Sequence, residues 1–241
     1  TRTSSSAASD VYKRQFLYGT GDASYDHIDA VKRVELKPVV NAEYMESTPL
    51  GQAEWLKFMA VFFNKEKEAN AHFEKVVSEY EATATLAAEV ADRPTVFTDL
   101  PFQGTWTVPG GESFAAKYLA DAGADYILKD NEGAGAVQVD LELMLDKAGD
   151  ADFWLHTGSA RTLKDIADSE KRNQFFSAWK SGNVYNNDAR TTESGGNDFW
   201  ESGIANPHIV LKDLVKVFHP DLLSEHELSL IHISEPTRLD D

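Results

Sequence analysis

The sequence predicts an α/β protein built on layered sheets. Short apolar runs alternate with segments of helical period along the chain. One helical pattern runs from Asn64 to about Ala91 without a Gly or Pro. After Arg93-Pro94 the pattern resets into a second strand-helix series.

Phe16–Gly19 is short, apolar and aromatic, and breaks at Gly19-Thr20-Gly21, which reads as a strand end and a loop. Ser24 is placed to cap a helix to about Val34, with Ile28, Val31 and Val34 on one face. Lys37–Ala42 reads as a strand around Val39 and Val40. A strand-helix-strand unit of this length predicts parallel pairing.

Thr48-Pro49 marks a helix start, a hydroxyl cap followed by Pro at the first helical position. Trp55, Leu56, Met59, Phe62 and Phe63 share one helical face. Asn64 is placed to cap the long helix, whose Phe73, Val76, Val77, Tyr80, Ala84 and Ala87 keep the 3.6-residue period. Such a helix fits either a rigid joint between two lobes or a core helix of one domain.

Beyond Pro94, strands are expected at Thr95–Leu100 and Thr105–Val108. Pro109-Gly110-Gly111 turns into a helix bearing Phe114, Tyr118 and Leu119. A short strand Tyr126–Leu128, a helix Leu141–Leu145 and an apolar strand Asp152–His156 follow. Leu163–Trp179 reads as one or two helices and Val184–Asn186 as a strand. A Gly-rich loop, Glu193–Asn197, comes next, and Pro207 opens the last helix.

The 241 residues are 42% hydrophobic and 26% charged, with no cysteine and a net charge of −17. Missing cysteine removes disulfide scaffolds, thiolate metal sites and Cys nucleophiles. The acidity disfavours a nucleic-acid surface. No apolar run of about 18 residues is present, so no spanning helix is expected.

Both ends resemble translated sequencing-adapter read-through: TRTSSSAASDVYKRQ (Thr1–Gln15) and LSLIHISEPTRLDD (Leu228–Asp241). They are set aside as non-native, and the acidity is native because both together carry no net charge. The native sequence is then expected to begin mid-protein at Phe16, with any leader or lipid-anchor cysteine upstream.

None of the seven histidines belongs to an HExxH or HxH cluster. Asp152 and His156, four apart on one expected strand, make a poor zinc pair. No GxSxG, GxxxxGK[ST] or GxGxxG occurs. Acids such as Glu142 and Asp146 read as a solvated helix face, and no set argues for general acid-base chemistry. What remains is aromatic residues beside glycine turns: Tyr18, Trp106, Phe199 and Trp200. Such residues line an apolar cleft for a bulky ligand, although a single Trp is more often core. Leu100–Phe102, Thr157–Gly158 and Asn186–Asp188 follow strand ends, where open α/β sheets bind ligands.

Four phrases carry a family resemblance: EYMESTPLGQAEWLKF (Glu43–Phe58), FFNKEKEA (Phe62–Ala69), GTWTVPGGESFAAKYLADAGADY (Gly104–Tyr126) and GGNDFWESGIANPHIVLKDLVKVFHPDLL (Gly195–Leu223). The chain resembles the substrate-binding proteins of ABC importers for iron-siderophore complexes, haem and cobalamin, the class with a rigid helix between lobes. The resemblance implies a two-lobed periplasmic binding protein-like α/β fold with ligand between the lobes. It divides the chain into tail 1–15, a remnant of the N-terminal lobe 16–48, linking helices 49–92, a C-terminal lobe 93–227 and tail 228–241. The first lobe is then incomplete, and the second has a parallel-rich sheet flanked by helices.

The resemblance also implies a non-enzymatic solute-binding component in the periplasm or cell envelope. Its ligand would be a metal chelate (ferric siderophore, haem or cobalamin), with no resident cofactor or metal. Its partner would be the importer permease, met by one acid per lobe: Glu201 in the second, and Asp26 in the first, beside Tyr25 and near Asp22. Tyr18, Trp106, Phe199 and Trp200 match cleft-facing loop positions, and Arg190 is placed to meet a ligand carboxylate. The few arginines tilt the ligand toward one held by aromatic contacts. A chelatase-like enzyme or a transporter-free sensor are the alternatives.

Overall fold

A computed structural model describes residues 14–18, 27–102 and 104–235 of the chain. The chain divides into two compact units between Glu46 and Ser47.

In the first unit, β1 (Arg14–Tyr18) pairs in parallel with β2 (Lys37–Asn41), with Phe16 opposite Val39. The parallel register expected of the strand-helix-strand unit is present. The connecting helix α1 (Ile28–Arg33) has no fully buried residue. Ser24 lies outside the described residues.

The second unit opens with α2 (Pro49–Val61), where the Thr48 side chain accepts from the Gly51 N–H at 3.0 Å. Its fully buried residues are Pro49, Gln52, Ala53 and Ala60, while Phe63 beyond its end is exposed. The expected aromatic face is therefore only partly covered. Trp55, Phe58 and Phe62 instead stack edge to face along the helix at 5.3 and 5.4 Å. Asn64 does not cap the next helix. It takes a left-handed turn at φ 52°, and Lys65 precedes α3 (Glu66–Ala88) without a side-chain cap. The 23 residues of α3 span about 35 Å. Its Val76, Tyr80 and Ala87 are buried, and it packs along α9 (Pro207–Phe218). Lys212 of α9 reaches Glu79 at 2.6 Å.

The main sheet contains β3 (Thr95–Thr98), β6 (Asp125–Tyr126), β8 (Phe153–Leu155), β9 (Val184–Asn186) and β10 (His232–Ile233). Its spatial order is β10-β9-β8-β3-β6, parallel except for β10. The chain enters at β3, crosses to β6 on one side, then returns to β8 and β9 on the other. The order therefore reverses between β3 and β8.

A second, antiparallel sheet joins β4 (Pro101–Phe102), β5 (Thr105–Pro109) and β7 (Ala136–Asp140). The sequence placed β5 correctly but not its partner β7, whose alternating exposure is masked by a Gly/Ala-rich approach. The remaining helices are α4 (Phe114–Asp121), α5 (Leu141–Ala148), α6 (Leu163–Ser169), α7 (Ser177–Ser181) and α8 (Ser202–Ala205). The segment read as one or two helices is α6 and α7, with a 3₁₀ turn Lys171–Phe175 between. Caps explain their starts: Ser113 and Asp140 accept from Ala116 and Leu143 N–H, and Thr162 with Asp165 forms a capping box.

The core centres on Phe97, Trp106, Trp154 and Phe176, whose ring centroids lie 4.8–6.1 Å apart. Part of the segment set aside at the C-terminus joins this fold. Leu230 and Ile231 are buried, and β10 extends the sheet beyond β9. The fully buried Asp213 carboxylate accepts from the Leu230 and Ile231 N–H groups at 2.7 and 3.1 Å, fixing this segment in place.

Candidate ligand site at the strand ends

In a doubly wound sheet, the loops after two neighbouring strands leave in opposite directions where the order reverses, and a crevice opens there. In this chain that reversal falls at the carboxyl ends of β3 and β8. The residue following each strand is non-glycine and left-handed: Asp99 at φ 67° and His156 at φ 58°. Backbone strain of this kind needs support from the surroundings. The Asp99 N–H donates to Leu155 O at 2.9 Å, and the Trp154 indole donates to Asp99 O at 2.7 Å. The His156 N–H donates to Tyr185 O at 3.0 Å.

Both side chains are electrostatically displaced by burial. The Asp99 carboxyl is pushed up to about 6, and the His156 imidazole is pushed down to about 4. Near neutral pH, Asp99 is mostly ionised and His156 is uncharged. His156 Nδ1 is buried without a partner. Its ring meets Phe199 edge-on, 5.4 Å between centroids.

Neighbouring loops are tied down by polar contacts. Asn186, at the end of β9, donates its amide to Gly158 O at 2.9 Å and Ala160 O at 3.3 Å. Thr157 Oγ1 donates to Ala160 O at 2.9 Å. Asp188 meets His232 Nδ1 at 3.0 Å and Arg161 at 3.6 Å.

Arg190 is exposed and already engaged, with Asp198 at 2.9 Å and Ser202 Oγ at 3.3 Å. A bridge between Thr191 and Asn197 closes the Gly-rich loop, which sets Arg190 beside the Phe199-Trp200-Glu201 turn. Phe199 is 7% exposed and Trp200 52%, their rings edge to face at 4.9 Å. Glu201 is exposed and makes no ion pair among the described residues.

Trp106 is elsewhere. It is 0% exposed, packed on Phe97, Trp154 and Phe176, and donates its indole N–H to Thr98 O at 2.9 Å. The expectation that it lines a cleft is corrected: β5 alternates, and Trp106 lies on its inward side with Val108. Tyr18 ends β1, and its side chain lies outside the described residues, as do Asp26, Tyr25 and Asp22.

Asp152 and His156 do not share a strand face. Asp152 precedes β8, and its carboxylate accepts from Thr95 N–H and Oγ1, both at 2.8 Å, at the opposite end of the sheet from His156. Among the described residues no group of three His, Cys, Asp or Glu could hold a metal. Asp99 and His156 escaped the sequence reading as site residues. Their signal is a polar residue directly after an apolar strand, in Val-Phe-Thr-Asp and Phe-Trp-Leu-His-Thr-Gly.

The family model described as periplasmic binding protein matches residues 22–191. The chain belongs to the periplasmic binding protein family. Among curated relatives, an uncharacterized lipoprotein of Methanocaldococcus jannaschii is 32% identical over 193 residues, 79% of this chain and 44% of the relative. This periplasmic binding protein thus spans about half the length of the curated relatives it matches. Among solved structures, a possible iron-binding (periplasmic solute-binding) protein from Staphylococcus epidermidis aligns with TM-score 0.63 at 14% identity, covering 85% of this chain and 75% of that one. An ABC transporter substrate-binding protein from Listeria monocytogenes EGD-e aligns with TM-score 0.63 at 17% identity, covering 86% and 77%. At these identities the structural likeness shows the fold, and the α/β class with its long helix is that of the periplasmic binding proteins.

Proposed function

We propose that this protein is the solute-binding component of an ABC importer, capturing an iron chelate or a corrinoid in the cell envelope and delivering it to the permease without catalysis. The observation that carries this reading is the sheet reversal between β3 and β8, the place where open α/β sheets bind ligands. There Asp99 and His156 take left-handed backbone, and the half-exposed Trp200 meets Phe199, which meets the His156 ring. The exposed Trp200 ring suits binding by aromatic contact. Family membership and a lipoprotein relative support the envelope setting.

Glu201 is the docking acid in this reading. An exposed carboxylate with no ion pair among the described residues, beside an exposed Trp, suits a basic partner surface, where it steers approach and fixes orientation. Arg190 acts by pairing with Asp198 and bracing the turn that presents Trp200 and Glu201, rather than by gripping ligand. Asp26 is the matching acid proposed for the first unit, and Tyr18 a ligand contact there.

The test is uptake by cells that depend on this protein. Glu201→Ala is expected to lower uptake of the chelate while leaving the affinity of the purified protein unchanged. Unchanged uptake would remove Glu201 from docking, and a parallel loss of affinity would place it in the ligand site.

A further inference from the structure

α2 and α3 pack as a helical hairpin, and a groove of about 590 Å³ runs along α3 beside α2. Lys57 of α2 forms one wall, and α3 supplies the rest from Phe73 to Thr85. That stretch of helix is about 18 Å long, a little over three turns. Two lanes of α3 face the groove, each with the i, i+4 spacing of a helix ridge. Phe73 and Val77 make an apolar lane, and both are half-buried. Ser78 and Ala82 make a lane of small side chains, and both are exposed. The buried residues of α3, Val76, Tyr80 and Ala87, lie on the other side of the helix.

Charge marks this groove off from the rest of the helix. Glu74 and Glu81 stand nearly in line between the two lanes, seven residues or about 10 Å apart. Both are exposed, and neither makes an ion pair among the described residues. Glu79, on the far flank of the same helix, is instead met by Lys212 at 2.6 Å and Lys75 at 3.6 Å. The groove's own cation is already engaged. The Lys57 ammonium meets Glu54 at 3.0 Å and lies 4.0 Å from the Phe73 ring centroid. Two carboxylates therefore stand over a partly apolar floor with no cation to neutralise them.

We infer that the groove docks an amphipathic helix of a partner protein, apolar along one lane and carrying Lys or Arg residues seven positions apart that meet Glu74 and Glu81. A helix suits the site because two packed helices leave a furrow that takes the ridge of a third. The small side chains at Ser78 and Ala82 let that ridge approach closely. A second copy of this chain fits badly, since a net charge of −17 brings acid against acid. An anionic membrane surface fits badly for the same reason. Among the described residues no three-ligand cluster claims the carboxylates for a metal. None of these residues belongs to the strand-end site, so the groove stands apart from the solute-binding reading.

The experiment titrates the whole chain into two fluorescein-labelled synthetic helices of about fifteen residues. Both carry leucine and alanine along one lane. One has lysines seven positions apart beside that lane, and the other has glutamates there. Fluorescence anisotropy reports binding. The variants are Glu74→Lys with Glu81→Lys, which reverses two exposed charges without touching the core, and Val77→Ser, which removes part of the apolar floor. Circular dichroism checks that both keep the fold. The lysine helix is expected to bind the wild type saturably and one to one, more weakly as salt is raised. The charge reversal should weaken it roughly tenfold or more and make the glutamate helix the better ligand. Val77→Ser should weaken both helices alike. Equal affinity of the two helices for the wild type would overturn the inference, as would affinity indifferent to the charge reversal or an absence of saturable binding. Sedimentation of the chain alone supplies the remaining arm. Self-association that Val77→Ser abolishes would give the groove to a second copy and overturn the inference as well.

Discussion

Replacing Trp106 by Phe separates a core residue from a ligand contact. Trp106 is fully buried among Phe97, Trp154 and Phe176, and its indole donates to Thr98 O at 2.9 Å. The Phe variant loses that hydrogen bond, about 1 kcal/mol. The smaller ring leaves a void of roughly 40 Å³, which costs about 1 kcal/mol at about 24 cal/mol per Å³. Three aromatic contacts are weakened as well, adding about 0.5–1 kcal/mol. The sum is about 2.5–3 kcal/mol. Trp106→Ala, with a far larger void, is expected to cost about 3–5 kcal/mol. Urea unfolding followed by far-ultraviolet circular dichroism measures both, with the slope unchanged if only the folded state is affected. Ligand affinity of the folded Trp106→Phe protein should equal that of the wild type. A loss below about 0.5 kcal/mol together with weakened binding would refute the burial argument and return Trp106 to the ligand site.

The crevice acid and base predict opposed pH dependences. Asp99 has a folded pKa of about 6 against 3.8 for the free side chain, so its ionisation opposes folding. The penalty is absent below about pH 4, grows between 4 and 6, and persists above. Asp99→Asn should therefore stabilise the protein by about 2–3 kcal/mol at pH 7.5 and by nothing below about pH 4. His156, with a folded pKa of about 4 against 6.5, gives the reverse: stability complete above pH 6.5 and lost as pH falls toward 4. His156→Asn should flatten that loss in denaturation series across pH 4–7. At the β5–α4 turn, a Cβ on Gly110 would lie 2.0 Å from Gly133 O, so Gly110→Ala should abolish soluble expression. Gly104 has open space but φ +82°, so Gly104→Ala should cost only about 1 kcal/mol by thermal melt.

Most of the backbone was legible because its signals are local. Thr48-Pro49, Pro207 and the apolar runs at 95, 153 and 184 each announce an element through short-range chemistry. Sheet membership was not. Nothing local tells that Thr105–Pro109 leaves the main sheet to pair with Ala136–Asp140, since that pairing joins segments some thirty positions apart. Asn64 looked like a cap because Asn favours caps, yet the same residue type also accepts the left-handed turn it occupies. Trp106 and Trp200 look alike beside glycine turns, and only the strand's inward register distinguishes them. Asp99 and His156 became candidate site residues through topology: the reversal between β3 and β8 sets two strand ends side by side, and two positive φ values mark them.

The central claim is that this crevice binds a metal chelate. Equilibrium titration of the purified chain with hemin, aquocobinamide and a set of ferric siderophores, followed by tryptophan quenching, tests it most directly. The account predicts saturable one-to-one binding of one chelate class, weakened by Trp200→Ala and unaffected by Glu201→Ala. Quenching that fails to saturate with every chelate, or saturable binding indifferent to Trp200→Ala and His156→Asn alike, would contradict it.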